Sequence, residues 1–203
     1  MTLKYQTKES NIYLNNSDVP QNKLNITNSE EIHEIERILL EKSYKTFISE
    51  LKENTIFDED YFKSIHRRTF SSLYDWAGIY RNNNISKGNT LFCLGSNIEN
   101  SSKKIFKDLK QDNYLRDFQN QNKIDFAKKL AYYKCELMAL HPFNEINGRT
   151  LRLFIDMLAN YNNYKLIDYS NIKDDEYIQA SKECVQFANS DNLERIILNG
   201  LRK

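Results

Sequence analysis

Glycine and proline are scarce in this chain, five and two among 203 residues. Both residues punctuate turns and break helices, so their scarcity argues against a turn-rich architecture and for long, mostly helical elements. Cysteine is scarce as well. Cys93, Cys135 and Cys184 are widely spaced and odd in number, which fits neither a disulfide framework nor a zinc knuckle; free thiols in a reducing, cytoplasmic setting are expected. No stretch approaches the roughly 18 uninterrupted apolar residues of a membrane span, and the opening MTLKYQTKESNIYLNN has no apolar run resembling a signal peptide. No membrane partner is therefore expected. An excess of one charge is also missing: 29 basic residues face 28 acidic ones. Without a global field, direct nucleic-acid binding is not expected, and partners must be recognised locally.

What is present is enough apolar material, 40% hydrophobic and 12% aromatic residues, to bury one sizeable core in a single globular domain. The first 26 or so residues are polar and Asn-rich, without clear periodicity, and read as an extended or loosely docked arm. A helix is predicted from Thr27 or Ser29 to near Asn54, with Ile32, Ile35, Leu39 and Leu40 as its apolar stripe. A second opens at Asp58, turns Phe62, Ile65, Phe70 and Leu73 inward and ends at Gly78. Residues 79–94 change texture: short apolar arms around Ile85 and Leu91, joined by SKGNT, predict a β-hairpin with Gly88 in its turn. Helices follow over 97–112 and from Lys123, where Phe126, Leu130, Tyr133, Leu137 and Leu140 recur at helical spacing until Pro142 stops them. The next helix is predicted to be capped by Asn147, with Leu151, Phe154, Ile155 and Leu158 as its core face and Arg149, Arg152 and Asp156 on another. Two final helices span about 173–188 and 190–200.

The stretch HPFNEINGRTLR, residues 141–152, concentrates the chemistry. A loop between two helices presents the unpaired N–H groups of the second helix's first turn, which is an anion site by construction. Asn147 and Gly148 let the backbone approach a phosphate, and Arg149 and Arg152, three apart, can reach oxygens of one polyphosphate. Glu145 is a hard oxygen ligand suited to Mg2+ between phosphates. His141 stands at the rim as a base with a pKa near working pH. Each residue also has a plainer role: His141 as a helix C-cap, Arg152 in an i, i+4 pair with Asp156, Phe143 as a core anchor. Their conjunction favours the chemical reading.

These residues resemble the Fic family motif, His-x-Phe-x-(Asp/Glu)-Gly-Asn-(Gly/Lys)-Arg-x-x-Arg, with His141, Phe143, Glu145, Asn147, Gly148, Arg149 and Arg152 in register and Ile146 where glycine is usual. NKLNITNSEEIHEIE near residue 22, IHRRTF, LYDWAGIYR, ISKGNTLFC and the Tyr177 helix also resemble Fic elements in order. The resemblance implies an all-α Fic fold, a helical bundle with a β-hairpin flap, over residues 22–203, preceded by the polar arm of residues 1–21. It implies a protein adenylyltransferase that moves AMP from ATP, with Mg2+, to a Ser, Thr or Tyr hydroxyl of a target protein. His141 resembles the base, Glu145 the Mg2+ ligand, and Asn147, Gly148 and Arg149 the phosphate cradle, supported by Arg152. Tyr177 resembles a residue bordering the adenosine pocket. Ile85, Ser86, Lys87, Gly88, Asn89, Thr90, Leu91 and Phe92 resemble the flap that clamps a target segment as an added strand. Gly148 favours AMP transfer, because Doc relatives that phosphorylate their targets have Lys there.

Two expectations concern departures from the family pattern. At Ile146 a positive φ would cost a β-branched residue about 1–2 kcal/mol; an ordinary backbone, with Ile146 packing beside Phe143, is expected instead. Many Fic proteins are inhibited by a (Ser/Thr)-x-x-x-Glu-(Gly/Asn) helix whose Glu pairs with the second motif arginine. SELKEN, residues 49–54, satisfies that pattern but lies only eleven residues before Ile65, and SDNLER fails at Arg195. The expectation is a small separate antitoxin supplying the glutamate, as for bacterial Fic toxins; their relatives modify type II topoisomerases such as DNA gyrase. The alternative is a catalytically weak or idle Fic-fold module that senses nucleotide, and a third reading changes the transferred group to UMP, phosphate or phosphocholine.

Overall fold

The computed structural model describes residues 6–7, 12–14, 17–118 and 122–203; the rest of the predicted arm lies outside the described residues. The first helix, α1 (Ser29–Glu50), begins at Ser29, the second of the two starts predicted, with the Asn28 side chain accepting the Glu31 N–H as its cap, and stops at Glu50 rather than near Asn54. Its successor α2 (Glu59–Phe70) is capped by Asp58 as predicted. It ends at Phe70, eight residues before Gly78, and the intervening residues form turns. Gly78 serves a close approach instead. At φ +80° it lets the backbone pass so near to α2 that a Cβ there would lie 2.5 Å from that of Arg67.

The predicted hairpin is present as β2 (Ile85–Lys87) and β3 (Thr90–Leu91), with Gly88 at φ +57° in its turn. A third strand, β1 (Gln6–Thr7), lies antiparallel on the other edge of β2, pairing Gln6 with Ser86 and Thr7 with Ile85. The remaining α-helices among the described residues are α3 (Ile98–Gln111), α4 (Lys123–Leu140), α5 (Asn147–Tyr161), α6 (Asp174–Phe187) and α7 (Asp191–Gly200), with short 3-10 turns at Gly95–Asn97 and Asn113–Phe118.

α4 is the axis of the fold. Its predicted apolar positions Phe126, Leu130, Tyr133, Leu137 and Leu140 are all buried, and it packs on α7, α6, α5 and α3. Burial of such side chains stabilises by roughly 1.5–3 kcal/mol each, so the helix that ends in His141 is anchored along its whole length. The principal core joins α4 and α5 to Phe57, Phe62 and the final helices. A second, smaller cluster gathers Val19, Ile26, Ile32, Phe70, Leu73, Tyr74, Ala77 and Ile146. The loop between α4 and α5 lies between these clusters, with Phe143 in the first and Ile146 in the second. All three cysteines are free thiols. No helix among the described residues is long and apolar enough to cross a membrane.

Candidate active site

His141 caps α4 in the left-handed region, at φ 44° and ψ 58°, with its N–H on the Leu137 carbonyl. Its ring stacks on Phe92 of the flap at a centroid separation of 3.8 Å, and Nδ1 lies 3.3 Å from the Met138 carbonyl. A carbonyl can only accept, so Nδ1 carries the proton and Nε2 the lone pair. Burial, assisted by the charges of Arg81 and Lys87, lowers the pKa of His141 from 6.5 to about 3. This corrects the expectation of a value near working pH, and it holds the imidazole neutral. Arg81 sets the backbone around it: its Nε donates to the His141 carbonyl at 2.9 Å, its Nη2 to Cys93 at 2.7 Å, and its own N–H to Pro142 at 2.8 Å. One buried guanidinium thus fixes His141 to the root of the hairpin.

Asn147 does not cap α5. The N-cap is Ile146, which has no side-chain acceptor, while Asn147 reaches back to Phe143, accepting its N–H and donating to its carbonyl, both at 2.7 Å. That reciprocal pair closes the loop into a ring, and the first turn of α5 is left without a side-chain cap, as an anion site requires. Beneath it, His66 stacks on Phe143 at 4.0 Å. The Gly78 N–H donates to His66 Nδ1 at 2.9 Å, so Nε2 bears the proton and donates to the Glu145 carbonyl at 3.2 Å. Burial lowers the pKa of His66 to about 4, which keeps it in this neutral, positioning form.

The Glu145 carboxylate accepts at both oxygens, from the Tyr13 hydroxyl at Oε1 and from the Ile146 N–H at 3.2 Å at Oε2. Burial raises its pKa, opposed by those two hydrogen bonds. Ile146 itself has φ 63° and ψ 15°. The expectation of an ordinary backbone is therefore wrong, as is its placement beside Phe143. The left-handed conformation costs about 1–2 kcal/mol, and burial of the side chain to 4% exposure in the second cluster is worth about as much or more.

The two motif arginines have separate partners. Arg149 pairs with Glu36 of α1 at 2.7 Å, and the other oxygen of Glu36, a residue only 2% exposed, accepts the Tyr74 hydroxyl at 2.6 Å. The Arg152 guanidinium lies 4.1 Å from the centroid of Tyr169, whose hydroxyl accepts from the buried Lys134 at 2.7 Å. Arg152 does not pair with Asp156, which accepts instead from Tyr44 at 2.7 Å and from the Ile167 N–H at 3.2 Å. Among the described residues neither Arg152 nor Glu53 of SELKEN makes an ion pair. Glu53 contributes its carbonyl to Tyr161 and Arg116, and Glu50 pairs with Arg68.

A cavity of about 610 Å3 opens over this loop, lined by His141, Asn147, Gly148, Phe92, Lys87 and Tyr177 among others. A Cβ at Gly148 would meet nothing within 4 Å, so the space above the helix start is open to a ligand. Of the flap residues, Lys87, Thr90 and Phe92 face the cavity, Ile85 is buried, Ser86 is half-buried, and Gly88, Asn89 and Leu91 are exposed. The Gln186 side chain of α6 donates to the Thr90 hydroxyl at 2.8 Å and ties the flap down. The cavity joins a neutral imidazole to the start of a helix, an arrangement able to bind phosphate and accept a proton.

A family model described as Fic/DOC matches residues 56–159, about half of the chain. The chain belongs to the Fic/DOC family. Among its Fic relatives, the protein adenylyltransferase VbhT of Bartonella schoenbuchensis is 38% identical over 145 residues, 71% of this chain but 29% of VbhT. The probable protein adenylyltransferase y4lH of Sinorhizobium fredii is 29% identical over 178 residues, 88% of this chain and 89% of y4lH. This Fic chain thus spans under a third of one relative and most of the other. The Fic domain of a VirB-translocated Bep effector from Bartonella quintana, solved with bound ADP, superposes with a TM-score of 0.80 at 26% identity, covering 94% of each chain. BepC of Bartonella tribocorum, solved with AMPPNP, gives 0.81 at 23% identity, covering 94% of this chain and 96% of that one. Against the usual Fic pattern, the sequence reading missed His66, Arg81, Glu36 and Tyr13 as members of the site. Three of them lie in segments that resemble Fic elements, Glu36 at the end of NKLNITNSEEIHEIE, His66 in IHRRTF and Arg81 at the end of LYDWAGIYR; Tyr13 carried no such signal.

Proposed function

We propose that this Fic chain is a protein adenylyltransferase that moves AMP from ATP to a Ser, Thr or Tyr hydroxyl of a target protein. The observation that carries the reading is the neutral His141, its lone pair on Nε2, lining the same cavity as the uncapped start of α5 at Asn147 and Gly148. In the reaction the target oxygen attacks the α-phosphorus, the bond from that phosphorus to the α,β-bridging oxygen breaks, and pyrophosphate departs. The hydroxyl proton passes to His141 Nε2. The α5 N–H groups and Arg149 orient and neutralise the phosphates, and Tyr177 borders the nucleoside. Such transfers need alignment and charge neutralisation more than covalent help.

Glu145 would hold Mg2+. A single hard carboxylate beside a phosphate site suits that ion, which is ordinarily bound through one or two carboxylates and substrate oxygens. Among the described residues no cluster of three or more His, Cys, Asp or Glu forms a self-sufficient cage. When bound, the ion supplies charge neutralisation. We further propose that the flap receives the target as an added strand, that the second motif arginine takes an inhibitory glutamate from a separate antitoxin, and that type II topoisomerases are candidate targets. The position of Arg152, over Tyr169 and without an ion pair among the described residues, supports the second of these. A nucleotide-sensing module is the second reading, favoured by the engagement of Arg149 with Glu36.

The test is incubation of the purified chain with Mg2+, a bacterial lysate and ATP labelled at either the α or the γ position. Protein-bound label from the α position only is expected. Label from γ would indicate kinase chemistry, and label from neither would favour the sensing module.

A further inference from the structure

The N-terminal arm occupies two places that the proposed reaction needs. Strand β1 fills the edge of β2 that β3 leaves free, one of the two outer edges that the hairpin offers to an added target strand. Six residues farther along, Tyr13 places its hydroxyl on Oε1 of Glu145, while the Ile146 N–H engages Oε2. Both oxygens of the carboxylate assigned to Mg2+ are thereby in use.

Tyr13 is held there by an anchored turn. The Leu14 N–H donates to Val19 at 2.9 Å, the Gln21 N–H donates to Ile12 at 2.7 Å, and Tyr13 bridges to Pro20. Val19 is 1% exposed and belongs to the same cluster as Ile146. The turn that carries Tyr13 and the residue following Glu145 are therefore packed into one small core. A segment in the same chain faces its site at an effective concentration on the order of millimolar, so a weak local contact competes well against a ligand from solution.

We infer that this arm is a tethered competitor for the active site: Gln6–Thr7 holds the flap edge against an incoming target, and Tyr13 holds Glu145 against a divalent cation. Binding of Mg·ATP and target then requires the arm to leave. The inference rests on the proposed reading of the flap and of Glu145, and it names a regulation of that site. It differs from a glutamate brake, because it acts at Glu145 and β2 and leaves Arg152 alone.

The test uses the full chain and two readouts independent of turnover. First, ATP binding is measured by calorimetry with Mg2+ and with EDTA, for His141→Ala and for His141→Ala combined with Tyr13→Phe, a change that keeps the ring. Loss of the hydroxyl should tighten Mg2+-dependent binding by about tenfold, the scale of one hydrogen bond to a charged group, and leave binding in EDTA unchanged. Equal affinity with Mg2+, or an equal gain in EDTA, would overturn the competition at Glu145. Second, hydrogen exchange at the amides of residues 85–87 is compared between the wild type and the double variant Gln6→Pro, Thr7→Pro, which has no N–H to offer β2. Exchange at least about fivefold faster is expected, and an unchanged rate would overturn the occupation of the flap. If no protein in the series transfers AMP, the proposed chemistry fails separately, and these two measurements still decide the role of the arm.

Discussion

The loop between α4 and α5 has a left-handed residue at each end, His141 at φ 44° and Ile146 at φ 63°, and the two are held there by different means. His141 closes the deeply buried α4, and its ring is fixed by Phe92 and the Met138 carbonyl. That polar end belongs to the principal core and presents the proposed base. Ile146 opens α5 with no side-chain cap, in a conformation that glycine adopts without penalty. Its side chain is retained by the second cluster, beside Val19 and Tyr74. The loop is therefore a bridge between two cores. One end carries the proposed base, and the other couples the loop to α1 and the N-terminal arm.

The largest expected effect breaks the first end. His141→Ala should lower AMP transfer by about 10²–10⁴-fold, the scale of general-base catalysis, while calorimetric ATP affinity stays within about threefold, because the base acts on the target hydroxyl. Full residual activity would remove His141 from the reaction.

A second effect is common to both ends, because the loop relies on two neutral histidines. His66 and His141 are shifted by burial from 6.5 to about 4 and about 3. Below pH 6.5 the unfolded chain binds protons that the folded chain refuses, so the stability is full above that pH and is lost as pH falls toward 4. At pH 5 the loss is about 2 kcal/mol per histidine. Glu145 and Asp156, whose pKa values burial raises, act in the opposite sense and reduce the total. Urea midpoints measured at pH 7 and pH 5 should show a clear drop, and equal midpoints would contradict the assignment.

At the second end, Ile146→Ala removes the buried side chain and keeps the backbone strain, whereas Ile146→Gly removes both. Alanine should cost about 2–3 kcal/mol and glycine about 1 kcal/mol less, with AMP transfer within a few fold for either. If glycine proves the more destabilising, the left-handed assignment fails. The smallest expected effect is that of Glu53→Gly. Glu53 makes no ion pair among the described residues, so transfer by the purified chain should stay within twofold; strong activation would restore SELKEN as a brake.

Much of the first end was legible in the sequence. The apolar spacing from Phe126 to Leu140, the stop at Pro142 and the SKGNT turn are local signals, and they place His141, the flap and the start of α5 within a residue or two. The second end was not legible. Glu36 meets Arg149 across 113 positions and Tyr13 meets Glu145 across 132, and helical periodicity carries no information about such pairings. The backbone of Ile146 was misread for a related reason. A side chain in a sequence reports its own preference, and here tertiary burial overrides it. Asn147 was misread because a cap and a loop clamp use the same amide, and the choice depended on whether Phe143 was within reach.

AMP transfer through His141 is tested most directly by tandem mass spectrometry of lysate proteins after treatment with ATP, Mg2+ and either the wild type or His141→Ala. AMP is expected on Ser, Thr or Tyr hydroxyls in the wild-type sample, with none above background for His141→Ala. Phosphate, UMP or phosphocholine in its place, or AMP in equal amounts from both proteins, would contradict the proposed chemistry.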